Sequence, residues 1–137
     1  MSLAKRPKPV IDNWNREFWR ACAERRLLIQ RCAVTKKFFF PPAPVSPYTG
    51  APKWEWVEAS GRGVLWSFVV FHQKYFDGMG DELPYPVAMV KLDEGPYLLT
   101  NFDGMTSAEA RIGMRLSVRF PGGPSEFLLP QFGPAEP

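Results

Sequence analysis

The segment Pro41–Pro52 constrains this chain most, because Pro41, Pro42, Pro44, Pro47 and Pro52 all fall inside it. Proline fixes φ and has no amide hydrogen, so neither a helix nor a central strand runs through such a stretch. It reads as an extended, turn-rich connector without regular structure of its own. The chain is therefore expected to organise separately on its two sides. Residues 1–12 read as a flexible tail, 13–53 as a first unit and 54–137 as a second. At 137 residues the chain suits one domain with an appendage.

Before the connector, Asp12 or Asn13 is placed to cap a helix running to about Arg26, with Trp14, Phe18, Ala21 and Cys22 on one face. Leu27–Cys32 reads as a strand and Phe38-Phe39-Phe40 as its hairpin partner. After the connector, Trp54–Glu58 alternates, Gly61-Arg62-Gly63 permits a sharp bend, and Val64–Phe71 continues as an apolar run. Together they predict one long strand bent at glycine, the device by which a small barrel turns a corner. Further strands are expected at Val87–Leu92, Tyr97–Phe102, Leu116–Phe120 and Phe127–Leu129, with turns at Gly95-Pro96 and Pro121-Gly122-Gly123-Pro124. Thr106–Arg111 suits a short helix. Five strands, the first long and bent, with a helical connection between third and fourth, match a mainly β, five-stranded OB-fold barrel. A plain β-sandwich is the competing architecture.

Charge is unevenly placed. Residues 1–53 hold 11 of the 17 Lys and Arg against three acids (Asp12, Glu17, Glu24), a net +8, whereas residues 54–137 hold six against 11, a net −5. A basic arm is thus joined to an acidic body, and polyanion binding is expected of the arm alone. No apolar run approaches the roughly 18 residues of a membrane span, so no membrane partner is expected. Cys22 and Cys32 are too few for a disulfide scaffold, which points to a reduced, cytoplasmic setting.

Individual residues carry little chemistry. His72, the single histidine, reads as a structural or surface residue; Asp77, Asp81 and Glu82 are near it only in sequence. Cys22 lies on the apolar helix face, and nothing in sequence gives Cys32 a base. Gly78-Met79-Gly80 and Gly61-Arg62-Gly63 lack phosphate-loop or dinucleotide spacing and read as a loop tip and a strand bend. Most of the five tryptophans read as core. Trp54 with Trp56, and Trp14 with Phe18, leave aromatic surface for an interface.

Read in order, several segments give the chain a resemblance to a known family: Phe18-Trp19, Leu27–Cys32, Phe40–Val45, Trp56–Gly63, Leu83-Pro84-Tyr85, Leu92–Pro96, Leu98–Asn101 and Ile112-Gly113-Met114. From about Asn13 to Phe132 it resembles the domain of unknown function thirty-five family, in which a rubredoxin-like zinc ribbon precedes an OB-fold. That resemblance implies an accessory subunit of acyl-CoA metabolism, associated with thiolase-like enzymes such as ketosynthase relatives and lipid-transfer-protein-type aldolases; some members are fused to hydratase domains. The ribbon is degenerate here. The resemblance places its two Cys-x-x-Cys knuckles at Cys32-Ala33-Val34-Thr35 and Ser46-Pro47-Tyr48-Thr49, so the four ligand positions are Cys32, Thr35, Ser46 and Thr49. One thiolate and three neutral hydroxyls are a poor zinc site, and bound zinc is predicted absent.

Three function classes follow. First is a non-catalytic subunit that docks on a thiolase-like enzyme, in a hetero-oligomer, and helps bind a CoA thioester, with no tightly bound cofactor of its own. Arg62, raised on its glycine bend, Arg31 and Lys37 of the basic arm, and Trp56 are its expected contacts to CoA or partner. Second is a single-stranded nucleic-acid-binding OB-fold, disfavoured by the acidic barrel. Third, ranked last, is an enzyme acting alone: no paired-carboxylate, Ser-His-Asp, Cys-His or metal constellation is legible, and the chain is expected not to be an enzyme.

Overall fold

A computed structural model describes residues 7–74, 83–123 and 127–135. One helix, α1 (Arg16–Ala23), leads into β1 (Leu28–Cys32), β2 (Phe38–Phe39) and β3 (Trp54–Glu58). Then come β4 (Arg62–Phe71), β5 (Tyr85–Leu92), β6 (Tyr97–Thr100), β7 (Arg115–Arg119) and β8 (Gln131–Pro134). They form a three-stranded antiparallel sheet, β2-β1-β3, and a five-stranded one, β6-β5-β4-β7-β8. A single parallel bridge between Phe102 and Phe132 brings the ends of the larger sheet together. The result is the mainly β, OB-type architecture expected, although this seam is one bridge rather than a full ladder.

α1 is shorter than the sequence indicates. Asp12 accepts hydrogen bonds from the Trp14 and Asn15 amides (3.1 and 2.8 Å) and organises the entry turn, and the helix starts at Arg16. It ends at Ala23 because Arg25 takes φ +60° and turns the chain into β1. Phe18, Ala21 and Cys22 are buried as the periodicity predicts. Phe18, Cys22, Leu27 and Ile29 belong to the same apolar cluster as Leu65, Val90, Leu92, Leu116 and Phe132. Arm and barrel therefore share one core.

Trp54–Glu58, expected as the first half of a long bent barrel strand, pairs with β1 instead, in register Leu28↔Glu58 to Cys32↔Trp54. The glycines act between the two sheets: Gly61 has φ +76°, and a Cβ on Gly63 would lie 2.4 Å from the Lys91 carbonyl oxygen. The irregularity within β4 is a bulge between Leu65 and Ser67. The last strand also lies later than expected. Phe127–Leu129 is not a strand; Leu128 plugs the core and Phe127 meets Trp19 edge-on at 6.1 Å, while β8 carries the pairing to β7. The expected helix at Thr106–Arg111 is a 3₁₀ turn, Ser107–Glu109, whose Glu109 carboxylate accepts from the Thr106 amide and hydroxyl (both 3.0 Å). Gly95, bonded through its amide to the Leu92 carbonyl, makes the expected β5–β6 turn. Among the described residues no helix is long and apolar enough to cross a membrane.

Candidate functional site: two clefts along the barrel edge

β6 ends the larger sheet, and five consecutive residues, Tyr97–Asn101, line one cleft of about 600 Å³. Consecutive rather than alternate lining means that the strand presents its edge. Opposite stand Asn15, Phe18 and Trp19 of the helix region and Phe40, Pro41 and Pro42 of the arm; Met89, Leu129 and Pro130 complete the lining. The polar groups are largely engaged already. The Thr100 hydroxyl donates to the Pro130 carbonyl (2.8 Å), the Asn101 amide to the Pro86 carbonyl (2.7 Å), and the Asn15 amide to the Val10 carbonyl (2.9 Å). The cleft thus offers hydrocarbon, with Leu99 64% exposed and Tyr97 40% exposed.

A second cleft, of about 810 Å³, shares Phe40 and Tyr97 with the first. Its walls are Lys36–Phe40, Pro47 and Tyr48 of the arm and Glu94–Tyr97 of the barrel. Lys37 Nζ lies 5.4 Å from the centre of the Tyr48 ring, and the Tyr48 hydroxyl donates to the Phe38 carbonyl (2.9 Å). Glu94 accepts from the Ser60 amide at 2.7 Å. An apolar cleft and a lysine-edged one therefore meet at Phe40 and Tyr97.

The expected contact residues are not gathered at one point. Lys37 lines the second cleft. Arg31 is bound to the Glu55 carboxylate (Nε to Oε1 2.9 Å), which it holds below the usual carboxylate range, and stacks 5.8 Å from the Phe38 ring. Trp56 pairs with Gln30, one residue along from Arg31, and so faces the opposite side of the sheet. There it packs against the core and meets Trp54 at 5.5 Å. Arg62 opens β4 on the barrel, exposed, its carbonyl accepting from the Asp93 amide (2.9 Å). Of the aromatic surface expected, Trp14 is exposed; Trp54 donates through Nε1 to the Pro44 carbonyl (3.0 Å) and ties the connector to β3. His72 is exposed, whereas Asp77, Asp81, Glu82 and the loop tip Gly78–Gly80 lie outside the described residues.

Cys32 and Ser46, one from each knuckle, are both fully buried. Hydrogen bonds from the Ser46 hydroxyl first, then from the Thr35 hydroxyl and amide, hold the Cys32 thiol down to about 6, against a small opposing effect of burial. Cys22, by contrast, belongs to the apolar core, and burial pushes its thiol up to about 12. Sequence reasoning missed three contributors. Gln30 is 1% exposed and clamps Ala43 through both amide atoms (Nε2 to the carbonyl and Oε1 from the amide, both 2.8 Å). Tyr97 and Leu99 read as strand interior, yet they alternate with the buried Leu98 and Thr100 and line the clefts.

Residues 19–48 match the ChsH2 rubredoxin-like zinc ribbon domain, and residues 56–121 match the ChsH2 C-terminal OB-fold domain. A solved chain titled "Ltp2-ChsH2(DUF35) aldolase" superposes with a TM-score of 0.79 at 37% identity, over 93% of this chain and 98% of that one. The chain belongs to the DUF35 family, in its ChsH2 branch. Among curated relatives, a probable enoyl-CoA hydratase alpha subunit of Thermomonospora curvata is 40% identical over 98% of this chain. The chain spans only 41% of that relative's length. A DUF35 domain-containing scaffold protein of Pyrococcus furiosus is 29% identical over 74% of each. These names overturn the expectation that the chain is not an enzyme. One relative is named a hydratase subunit and the solved chain an Ltp2-ChsH2 aldolase, so relatives of this chain are parts of named enzymes. In an enzyme of several subunits the catalytic constellation need not be complete in one chain, so its absence from this sequence does not decide the matter.

Proposed function

We propose that this chain is a subunit of a hetero-oligomeric enzyme acting on a CoA thioester, paired with a thiolase-like subunit in the cytoplasm. The observation that carries the reading is the meeting of the two clefts at Phe40 and Tyr97. A CoA thioester is chemically divided in the same way, with a polyanionic nucleotide at one end and an acyl group on an uncharged arm at the other. In this reading the nucleotide phosphates lie toward Lys36 and Lys37, and the acyl arm lies along Leu99 and Met89. A volume of about 600 Å³ is within the usual range for small-molecule clefts, and here it would take the acyl arm alone. Arg62, exposed on the barrel, is assigned to a CoA phosphate or a partner carboxylate. Arg31 and Trp56 shape the arm sheet that carries Lys37. The aldolase that matches this chain over nearly its whole length, and the hydratase subunit, support a CoA-thioester assembly.

The test is co-expression with a thiolase-like protein encoded beside it, co-purification, and calorimetric titration of the complex with acetyl-CoA. Charge reversal by Lys36→Glu with Lys37→Glu is expected to weaken CoA binding about tenfold, roughly 1.4 kcal/mol, and to flatten its salt dependence. Leu99→Asp should weaken acyl-CoA more than free CoA. A chain that stays alone at micromolar concentration and binds no CoA thioester in any complex overturns the proposal. A salt-dependent shift with a single-stranded oligonucleotide would move the assignment to nucleic-acid binding.

A further inference from the structure

A zinc ribbon holds its two knuckles together through the metal, which takes four strong ligands, thiolate or imidazole. The residues of this ribbon do not fit zinc. Cys32 is a single thiol, while Thr35, Ser46 and Thr49 are neutral hydroxyls. Among the described residues no group of three or more His, Cys, Asp or Glu could hold a metal ion. Yet the knuckle backbone is intact. Lys36 and Gly50, each directly after the second ligand position of its knuckle, have φ +63° and +73°. Lys36 holds that conformation although its side chain disfavours it. Every former ligand atom accepts a backbone amide: Cys32 Sγ from Thr35 (3.4 Å), Thr35 Oγ1 from Lys37 (3.3 Å), Ser46 Oγ from Tyr48 (3.1 Å) and Thr49 Oγ1 from Ala51 (3.2 Å). Cys32 and Ser46 are both fully buried, and Tyr48 of the second knuckle donates through its hydroxyl to the Phe38 carbonyl (2.9 Å), three residues past the first knuckle.

We infer that this ribbon stands without zinc, its ligand atoms satisfied by backbone amides and its knuckles joined through Tyr48, on a backbone that still matches a tetrahedral metal. The inference concerns the arm alone and does not depend on the function proposed above. Its test uses the full chain, produced in zinc-supplemented medium. Elemental analysis is expected to find substoichiometric zinc, and a chelator is expected to leave the melting temperature unchanged. The variant Thr35→Cys/Ser46→Cys/Thr49→Cys is expected to bind cobalt(II) at one per chain, with the visible bands of a tetrahedral thiolate site, and to melt higher when zinc is bound than after chelation. Ser46→Ala, which keeps the chain's size and charge, should lower the melting temperature equally with and without chelator. Stoichiometric zinc in the parent overturns the inference, as does a folded triple variant without the cobalt bands. A Ser46→Ala chain as stable as the parent would overturn the role given to the Ser46 hydroxyl as the partner of the Tyr48 amide.

Discussion

Replacing Gln30 by methionine removes the clamp between β1 and the proline connector while keeping side-chain length and volume. Packing loss should be small. The cost lies in the Ala43 amide and carbonyl, each 2.8 Å from the Gln30 side chain and each left without a partner. An unsatisfied buried group costs about 1–3 kcal/mol. Ala43 is only half-buried, so the low end applies to both groups, giving about 2 kcal/mol in all. With a urea m-value of about 2 kcal/mol/M, the midpoint should fall by about 1 M. Tryptophan fluorescence reads the event locally, because Trp54 donates to the carbonyl of Pro44, next to Ala43. Circular dichroism reads the whole fold, and a fluorescence transition that leads it would show the arm loosening first. Gln30→Glu is the companion. Its carboxyl can donate to the Ala43 carbonyl only when protonated, and burial beside that carbonyl raises its pKa. A raised folded pKa gives stability that is full below the ordinary carboxylate value and lost as pH rises through the folded one. The variant should therefore approach the parent near about pH 4 and fall below Gln30→Met at neutral pH. A Gln30→Met midpoint within about 0.2 M of the parent refutes the clamp.

Two further perturbations probe the barrel. Gly133→Ala should cost about 3 kcal/mol in thermal or urea unfolding, because its Cβ would sit 2.1 Å from the Asp103 carbonyl oxygen and 2.6 Å from Arg119 Cζ. Asp93, gripped by both Arg115 terminal nitrogens (3.0 and 2.9 Å), is held below its ordinary pKa. Its contribution is present above about pH 4 and lost as pH falls through the depressed value. Asp93→Asn should therefore flatten the acid limb of the stability–pH curve. At neutral pH it should cost no more than about 1 kcal/mol, since the pair is half exposed.

What the sequence revealed depended on how local each signal was. The apolar face of α1, the β1–β2 hairpin and the Gly95 turn each depend on neighbouring residues, and all three are present. Alternation marked Trp54–Glu58 as a strand but said nothing about its partner, and β1 lies across the whole proline connector from it. β8 carries Gly133 and Pro134, which disguise a strand, whereas Phe127–Leu129 has strand-like residues that serve as a core plug. Lys37 was legible as part of the basic arm. Tyr97 and Phe40 were not legible as a site, because their meeting is set by how the arm docks on the barrel.

That docking turns the first constraint in the sequence into a functional one. An edge strand such as β6 offers unpaired amides and carbonyls, and a chain segment laid beside it tends to extend the sheet. Pro41 and Pro42 lie across the cleft from β6, and neither has an amide hydrogen to give it. The segment can wall the edge but cannot zip onto it, so a cleft remains where another sequence would close. Its width is then set by whatever fixes the connector: Gln30 on Ala43, Trp54 on Pro44, and Tyr48 on Phe38. The hydrogen bonds of the arm and the shape of the apolar cleft are thus one structural problem.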